Sequence, residues 1–132
     1  MNTKPISPKV HGIADYVLVG SLLILPSIFG FNKKVRKFYA FEALTLLTYI
    51  GVTDHPTAIK PLIPFTTHGK IDPFNIVHFG LQSFWKPIRR DKNALLFNIG
   101  FTIIAGTVVA LTDWQGTTKA TYNNTIMAPS LK

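Results

Sequence analysis

Apolar and polar residues follow one another along this chain in long blocks, not at the short period of a surface helix. Tyr16 to Asn32 contains no charged residue, nor does Pro73 to Trp85, nor does Asn93 to Thr112, and Phe38 to Thr53 contains only Glu42. A membrane-crossing helix needs about 20 mostly apolar residues, with about 17 as a lower limit. The last block meets this outright, and the first does if it extends back through Asp15. The second and third need polar flanks or packing against their neighbours. A soluble bundle would carry a polar stripe on each helix, and the block 93–112 has none. The pattern therefore predicts an all-α membrane protein with four transmembrane helices.

Punctuation refines the elements. Ser7-Pro8 is a good N-cap and first-turn pair, so the first helix is expected to start before His11 and run to Gly30. Pro73 directly follows Asp72, which predicts a kink or a fresh helix start with Asp72 as N-cap. Pro56, Pro61 and Pro64 mark the connection from Asp54 to His68 as a stiff external segment. The polar tail 117–132 is expected to be mobile.

The blocks are duplicated. His11-Gly12-Ile13-Ala14-Asp15 opens the first and His68-Gly69-Lys70-Ile71-Asp72 the third, an offset of 68 − 11 = 57. Thr53-Asp54-His55 closes the second and Thr112-Asp113-Trp114 the fourth, an offset of 113 − 54 = 59. Each half reads His-Gly-x-x-Asp, apolar block, basic turn, apolar block, Thr-Asp-aromatic. A repeat of this kind implies units that bury their surface only against each other. The single membrane domain 1–132 thus divides into a repeat at about 7–57 and another at about 64–116. Each holds an even number of spans, so the two hairpins form a parallel repeat about an axis normal to the membrane.

Charge orients this arrangement. The formal net charge is +8, which invites a nucleic-acid reading, but the cations are clustered in connections. Lys33, Lys34, Arg36 and Lys37 lie in one, and Lys86, Arg89, Arg90 and Lys92 in the other. Short basic connections between apolar blocks are the positive-inside signature, and no nucleic-acid motif is present. The expected partners are the lipid bilayer, with a second copy or another membrane protein, and no nucleic acid. Segments 33–37 and 86–92 are expected in the cytoplasm, with both termini and both His-Gly-x-x-Asp motifs outside. The chain has no cysteine, which removes disulfides and thiolate metal sites.

The stretch 9–31, with His-Gly-x-x-Asp-Tyr through Leu25-Pro26-Ser27-Ile28-Phe29-Gly30-Phe31, resembles small bacterial membrane proteins of the SPW-repeat type. Thr53-Asp54-His55-Pro56, then Leu62-Ile63-Pro64 and the second His-Gly-x-x-Asp motif, carry the same resemblance, which covers residues 9–114. It implies a four-helix multi-pass protein of the bacterial inner membrane and lends no activity.

The candidate chemistry collects on the outer face as His11, Asp15, Asp54, His55, His68, Asp72 and Asp113. At i,i+4 spacing His11 shares a helical face with Asp15, as His68 does with Asp72. Imidazole and carboxylate are ordinary ligands for divalent zinc, iron or manganese, so these four form a candidate metal site. The reading placed first is structural or partner-docking: aspartates cap and anchor helix ends, and histidines bond to carboxylates or carbonyls. A metal-binding or metal-dependent protein comes second, and a small ion or solute transporter acting as an oligomer third. His78, with Asn75 and Gln82, makes a polar stripe expected to face the bundle interior. A lone His there is more often a hydrogen-bonding partner than a haem ligand. Glu42 is expected to pair with Arg36 or Lys37, and Asn98 with Thr102 to bond between helices. No serine-nucleophile, P-loop, dinucleotide or His-Glu-x-x-His motif occurs, so an enzyme is not the expected reading.

Overall fold

The computed structural model describes residues 4–118, and the regular secondary structure within them is helical apart from two isolated bridges. The helices are α1 (Pro8–Ile28), α2 (Lys33–Gly51), α3 (Phe65–Gln82), the single turn α4 (Lys86–Arg89) and α5 (Lys92–Leu111). The expected mobile tail lies, from residue 119 onward, outside the described residues.

Local chemistry explains most of the boundaries. The Ser7 hydroxyl accepts from the Val10 amide, with Pro8 in the first turn as expected. Helix α1 ends two residues early, at Ile28, in a Schellman motif. Gly30 adopts φ +68°, the Gly30 amide donates to Ser27 and the Phe31 amide to Pro26, which satisfies carbonyls that the helix leaves open. The side chains of Asn32 and Asp91 cap α2 and α5.

Two expectations are corrected here. The first basic segment is not a loop but the opening turn of α2, and much of the second forms α4. Helix α3 does not restart at Pro73: it runs unbroken from Phe65 to Gln82, with Pro64 in the cap position. Asp72 is therefore an interior helical residue, and its side chain is available for the site.

The duplication is built into the backbone. Helices α1 and α3 begin 65 − 8 = 57 residues apart and α2 and α5 begin 92 − 33 = 59 apart, the offsets of the sequence motifs. The halves also exchange their ends. Ile6 pairs with Thr112 and Ile63 with Thr53, both in parallel. The Asp113 amide donates to Ile6 and the Asp54 amide to Ile63, each at 2.8 Å. The entry segment of each half thus seats on the exit of the other.

Each glycine of the paired motifs admits the closing aromatic of its own half. A Cβ on Gly12 would stand 2.6 Å from His55 Nδ1, and one on Gly69 would stand 2.6 Å from Trp114 Cδ2. Only a missing side chain allows that approach.

Helix α1 packs on α2 and α5, and α3 packs on α5. The seam between α2 and α3 is looser than its α1–α5 counterpart. It is bridged by side chains: the Tyr49 hydroxyl donates to the His68 carbonyl (3.1 Å), and His78 pairs with Glu42 (3.3 Å). Glu42 thus does not take Arg36 or Lys37 as expected. At the inner end the Tyr39 hydroxyl donates to Asn98 Oδ1 (2.8 Å), and Asn98 Nδ2 donates to the Phe79 carbonyl (2.7 Å). Asn98 joins helices as expected, whereas the Thr102 hydroxyl bonds within its own helix.

Among the described residues two helices, α1 (mean hydropathy 1.5) and α5 (2.1), are long and apolar enough to cross a membrane; four were expected. The four cations at the start of α2, and His68, Lys70, Asp72, Asn75, His78 and Gln82 along α3, make those two helices more polar. All four long helices nonetheless expose large apolar side chains, including Val17 and Ile24 of α1, Phe41 and Leu44 of α2, Phe74 and Val77 of α3, and Ile103 and Ile104 of α5.

Candidate functional site

The two His-x-x-x-Asp faces converge. His11 Nε2 lies 3.2 Å from Asp15 Oδ2 on its own helix and 3.4 Å from Asp72 Oδ2 on the other. His68 Nε2 lies 3.1 Å from Asp72 Oδ1 and 3.5 Å from Asp15 Oδ2. Each imidazole faces both carboxylates and each carboxylate faces both imidazoles. His11 and His68 are essentially fully buried and Asp72 is 7% exposed.

Helix geometry sets the pairs and the repeat brings them together. One turn separates His from Asp within α1 and within α3, and the pseudo-twofold axis opposes the two faces. Ring stacking fixes the imidazole planes. His68 lies flat on Tyr49, with centroids 4.2 Å apart and planes 9° apart, while His11 meets Trp114 edge-on at 4.8 Å.

The far nitrogen of each ring is held by a threonine from the other half. His11 Nδ1 lies 2.8 Å from Thr112 Oγ1, and His68 Nδ1 lies 2.7 Å from Thr53 Oγ1. Each threonine oxygen also lies close to a carbonyl one turn back, Val108 at 2.6 Å and Tyr49 at 2.9 Å. A carbonyl only accepts, so the single hydroxyl proton belongs on that contact. The threonine oxygen then accepts from Nδ1–H, and in the neutral ring this leaves the Nε2 lone pair aimed at the carboxylates. Fixing the tautomer through the outer nitrogen is what metal-ligating histidines require. The threonine pair is the part of the site that sequence reasoning missed, although Thr-Asp was among the duplicated landmarks.

The other members of the outer cluster are separate from the quartet. His55 Nε2 donates to the Ile50 carbonyl (3.0 Å) and Nδ1 accepts from the Thr57 hydroxyl (2.9 Å), so both nitrogens are committed. Burial pushes this imidazole below its usual titration range. Asp54 accepts from Thr118 and Asp113 from the Gln115 amide. His78 does not face the interior as expected: its side chain is 61% exposed at the edge of the α2–α3 seam.

His11, Asp15 and His68 each present a ligand atom within 4.8 Å of the others, the one group among the described residues placed to hold a metal ion. His11 Nε2 and Asp15 Oδ2 are buried without a hydrogen-bond partner. A cavity of about 60 Å³ adjoins the quartet, with Asp15, His68 and Asp72 in its wall. No protein-family model, curated protein or solved structure matches this chain.

Proposed function

We propose that this is a small four-span membrane protein that binds one divalent transition-metal ion between its two halves, through His11, Asp15, His68 and Asp72. The observation that carries the reading is the Nε2–carboxylate spacing, taken with the Nδ1 anchors. A tetrahedral ion with ligand bonds of about 2.0–2.1 Å sets its ligands about 3.3 Å apart along each edge. The separations of 3.2 and 3.5 Å from the two Nε2 atoms to Asp15 Oδ2 bracket that length, and Asp72 adds one oxygen near each ring, Oδ2 at 3.4 Å from His11 and Oδ1 at 3.1 Å from His68. Direct charge-assisted hydrogen bonds between imidazolium and carboxylate run shorter, at about 2.7–2.9 Å. His11 Nε2 and Asp15 Oδ2 face each other at 3.2 Å without making a hydrogen bond, which fits a shared cation better than a closed ion-pair ring.

Electrostatics agree. Two neutral imidazoles and two carboxylates balance a divalent charge, so the loaded site is neutral in a low-dielectric interior, where an uncompensated charge is costly. The N₂O₂ donor set suits zinc, iron or manganese. Binding would also brace the two halves, which retains the structural role placed first from sequence. Ion transport along the axis is less well supported, because below the quartet the cavity wall is mostly Leu, Ile, Val and Phe.

The four-span reading rests on the apolar side chains exposed around all four long helices and on the eight cations gathered at one end, where Lys34 lies over the Trp85 ring. Placement in a bacterial inner membrane and kinship with the SPW-repeat type remain proposals resting on the quoted motifs alone.

The test is elemental analysis of the full chain purified in detergent without chelator, then incubated with zinc, manganese or ferrous iron and desalted. About one ion per chain is expected in the wild type, with loss in His11→Ala and His68→Ala. Folded protein that retains no ion above the level of those variants overturns the proposal.

A further inference from the structure

The cavity beside the quartet lies on the pseudo-twofold axis, since its walls pair by repeat position: Asp15 with Asp72, Leu18 with Asn75, Leu46 with Ala105, Ile50 with Val109. The pairing is unequal. Ala105 stands where the first half has Leu46, and Val108 stands where it has Tyr49, so at these two positions α5 contributes less bulk than α2. The Tyr49 hydroxyl also lies 3.4 Å from Asp72 Oδ1. Its repeat counterpart Val108 offers Asp15 no such contact, so Asp15 Oδ2 faces only the two imidazoles, at 3.2 and 3.5 Å. The site is thus symmetric in its ligands and asymmetric around them.

The looser α2–α3 seam gives this cavity a side entrance. Two bridges frame it, Tyr49 to Asp72 and the His68 carbonyl at the outer end and Glu42 to His78 at the inner end. At 1.5 Å rise per residue the Tyr49–Asp72 and Glu42–His78 bridges lie about 9–11 Å apart along the helices. Between them stand Leu46, Asn75 and Ile76, all partly exposed and all in the cavity wall. Outside are the exposed Phe41, Leu44, Phe74 and Val77.

We propose that this cavity is a ligand pocket entered sideways through the α2–α3 window. Its ligand is an aliphatic, bilayer-soluble molecule with one oxygen-bearing head, an alcohol or carboxylic acid, that reaches the quartet. The inference rests on the metal-binding reading. Size sets the head: a cavity of about 150 Å³ accepts benzene, so 60 Å³ takes about two or three heavy atoms. Chemistry sets its polarity, because the only polar groups in the wall are Asp15, Tyr49, His68, Asp72 and Asn75. The remainder of the molecule must leave through the window, and the surface there is apolar.

The experiment uses the cobalt(II)-loaded full chain in phosphatidylcholine nanodiscs, titrated with 1-decanol, decanoic acid or azide. An aliphatic probe is expected to shift the visible cobalt bands, and Ala105→Leu to weaken that response about tenfold with cobalt content unchanged. A parallel readout needs no ion: a diazirine-bearing decanoic acid should label residues around Leu46, Ile76 and Ala105, mapped by mass spectrometry. Failure to load cobalt with labelling intact overturns the metal reading and keeps the pocket. A response to azide alone, an unchanged response in Ala105→Leu, or labelling only of the outer helix faces overturns the pocket.

Discussion

Thr53 and Thr112 decide which nitrogen each histidine turns to the axis. Both hydroxyl protons are engaged by helical carbonyls, so both oxygens are acceptors, and both imidazoles are driven to the same tautomer. Valine has nearly the same shape and no oxygen. Thr112→Val is therefore expected to leave the His11 Nδ1–H buried and unpaired, at a cost of about 1–3 kcal/mol. It should also lower metal affinity about 10- to 100-fold. Thermal unfolding and chelator competition measure the two effects, and Thr53→Val should reproduce them through His68. Loss of stability without loss of affinity would show that the threonines do not tune the ligands. Residue spacing revealed the His-Asp pairs because i,i+4 geometry is local. It did not reveal the threonines as partners, since those contacts span 101 and 15 residues and cross between repeats.

At the scale of elements, the sequence reading succeeded where a signal was local and repeated. It failed where one residue type has two uses. Proline after Asp72 predicts a kink or a fresh start, because it removes a helical amide, yet α3 continues through Pro73 to Gln82. The stripe 75, 78, 82 was read as one inward face. In fact Asn75 lines the cavity and Gln82 is buried, while His78 lies on the far edge, where it reaches Glu42. Periodicity specifies a face only to within the width of one side chain. The basic segments were read as turns because charge interrupts apolar blocks, yet lysine and arginine are good helix formers. Helix α5 starts among those cations and depends on Asp91, whose carboxylate accepts from the Asn93 and Ala94 amides at 3.0 and 3.1 Å. Asp91→Ala is expected to cost about 0.5–2 kcal/mol in detergent unfolding, with metal content unchanged because the quartet lies at the other end of the bundle. A loss of bound ion in this variant would mean that the two ends are coupled.

At the scale of the molecule, two helices meet the composition of a span and two fall short, but the fold distributes apolar surface over all four. Helix α3 turns His68 and Asp72 toward the axis, which lowers its mean hydropathy from within, while Lys70 and His78 of α3 and Thr45 and Thr48 of α2 are exposed among apolar neighbours such as Phe74, Val77, Phe41 and Leu44. If all four cross the bilayer, single cysteines placed at Lys34 and Arg90 should react with a membrane-impermeant thiol reagent from the same side, and one placed at Lys60 from the opposite side. Labelling of positions 34 and 90 from opposite sides would break the four-span topology and with it the shared site.

The exchange of ends between halves has a bearing on how the protein is made. When only the first hairpin has left the ribosome, His11 lacks Thr112, Ile6 lacks its bridge, and two of the four ligands have not been synthesised. Thr112 closes the last helix, so the His11 ring gains its Nδ1 partner only after residues 92–111 are in place. On the metal-binding reading, the first hairpin alone offers an ion only His11 and Asp15, with the His11 ring unanchored, so firm capture awaits the last helix.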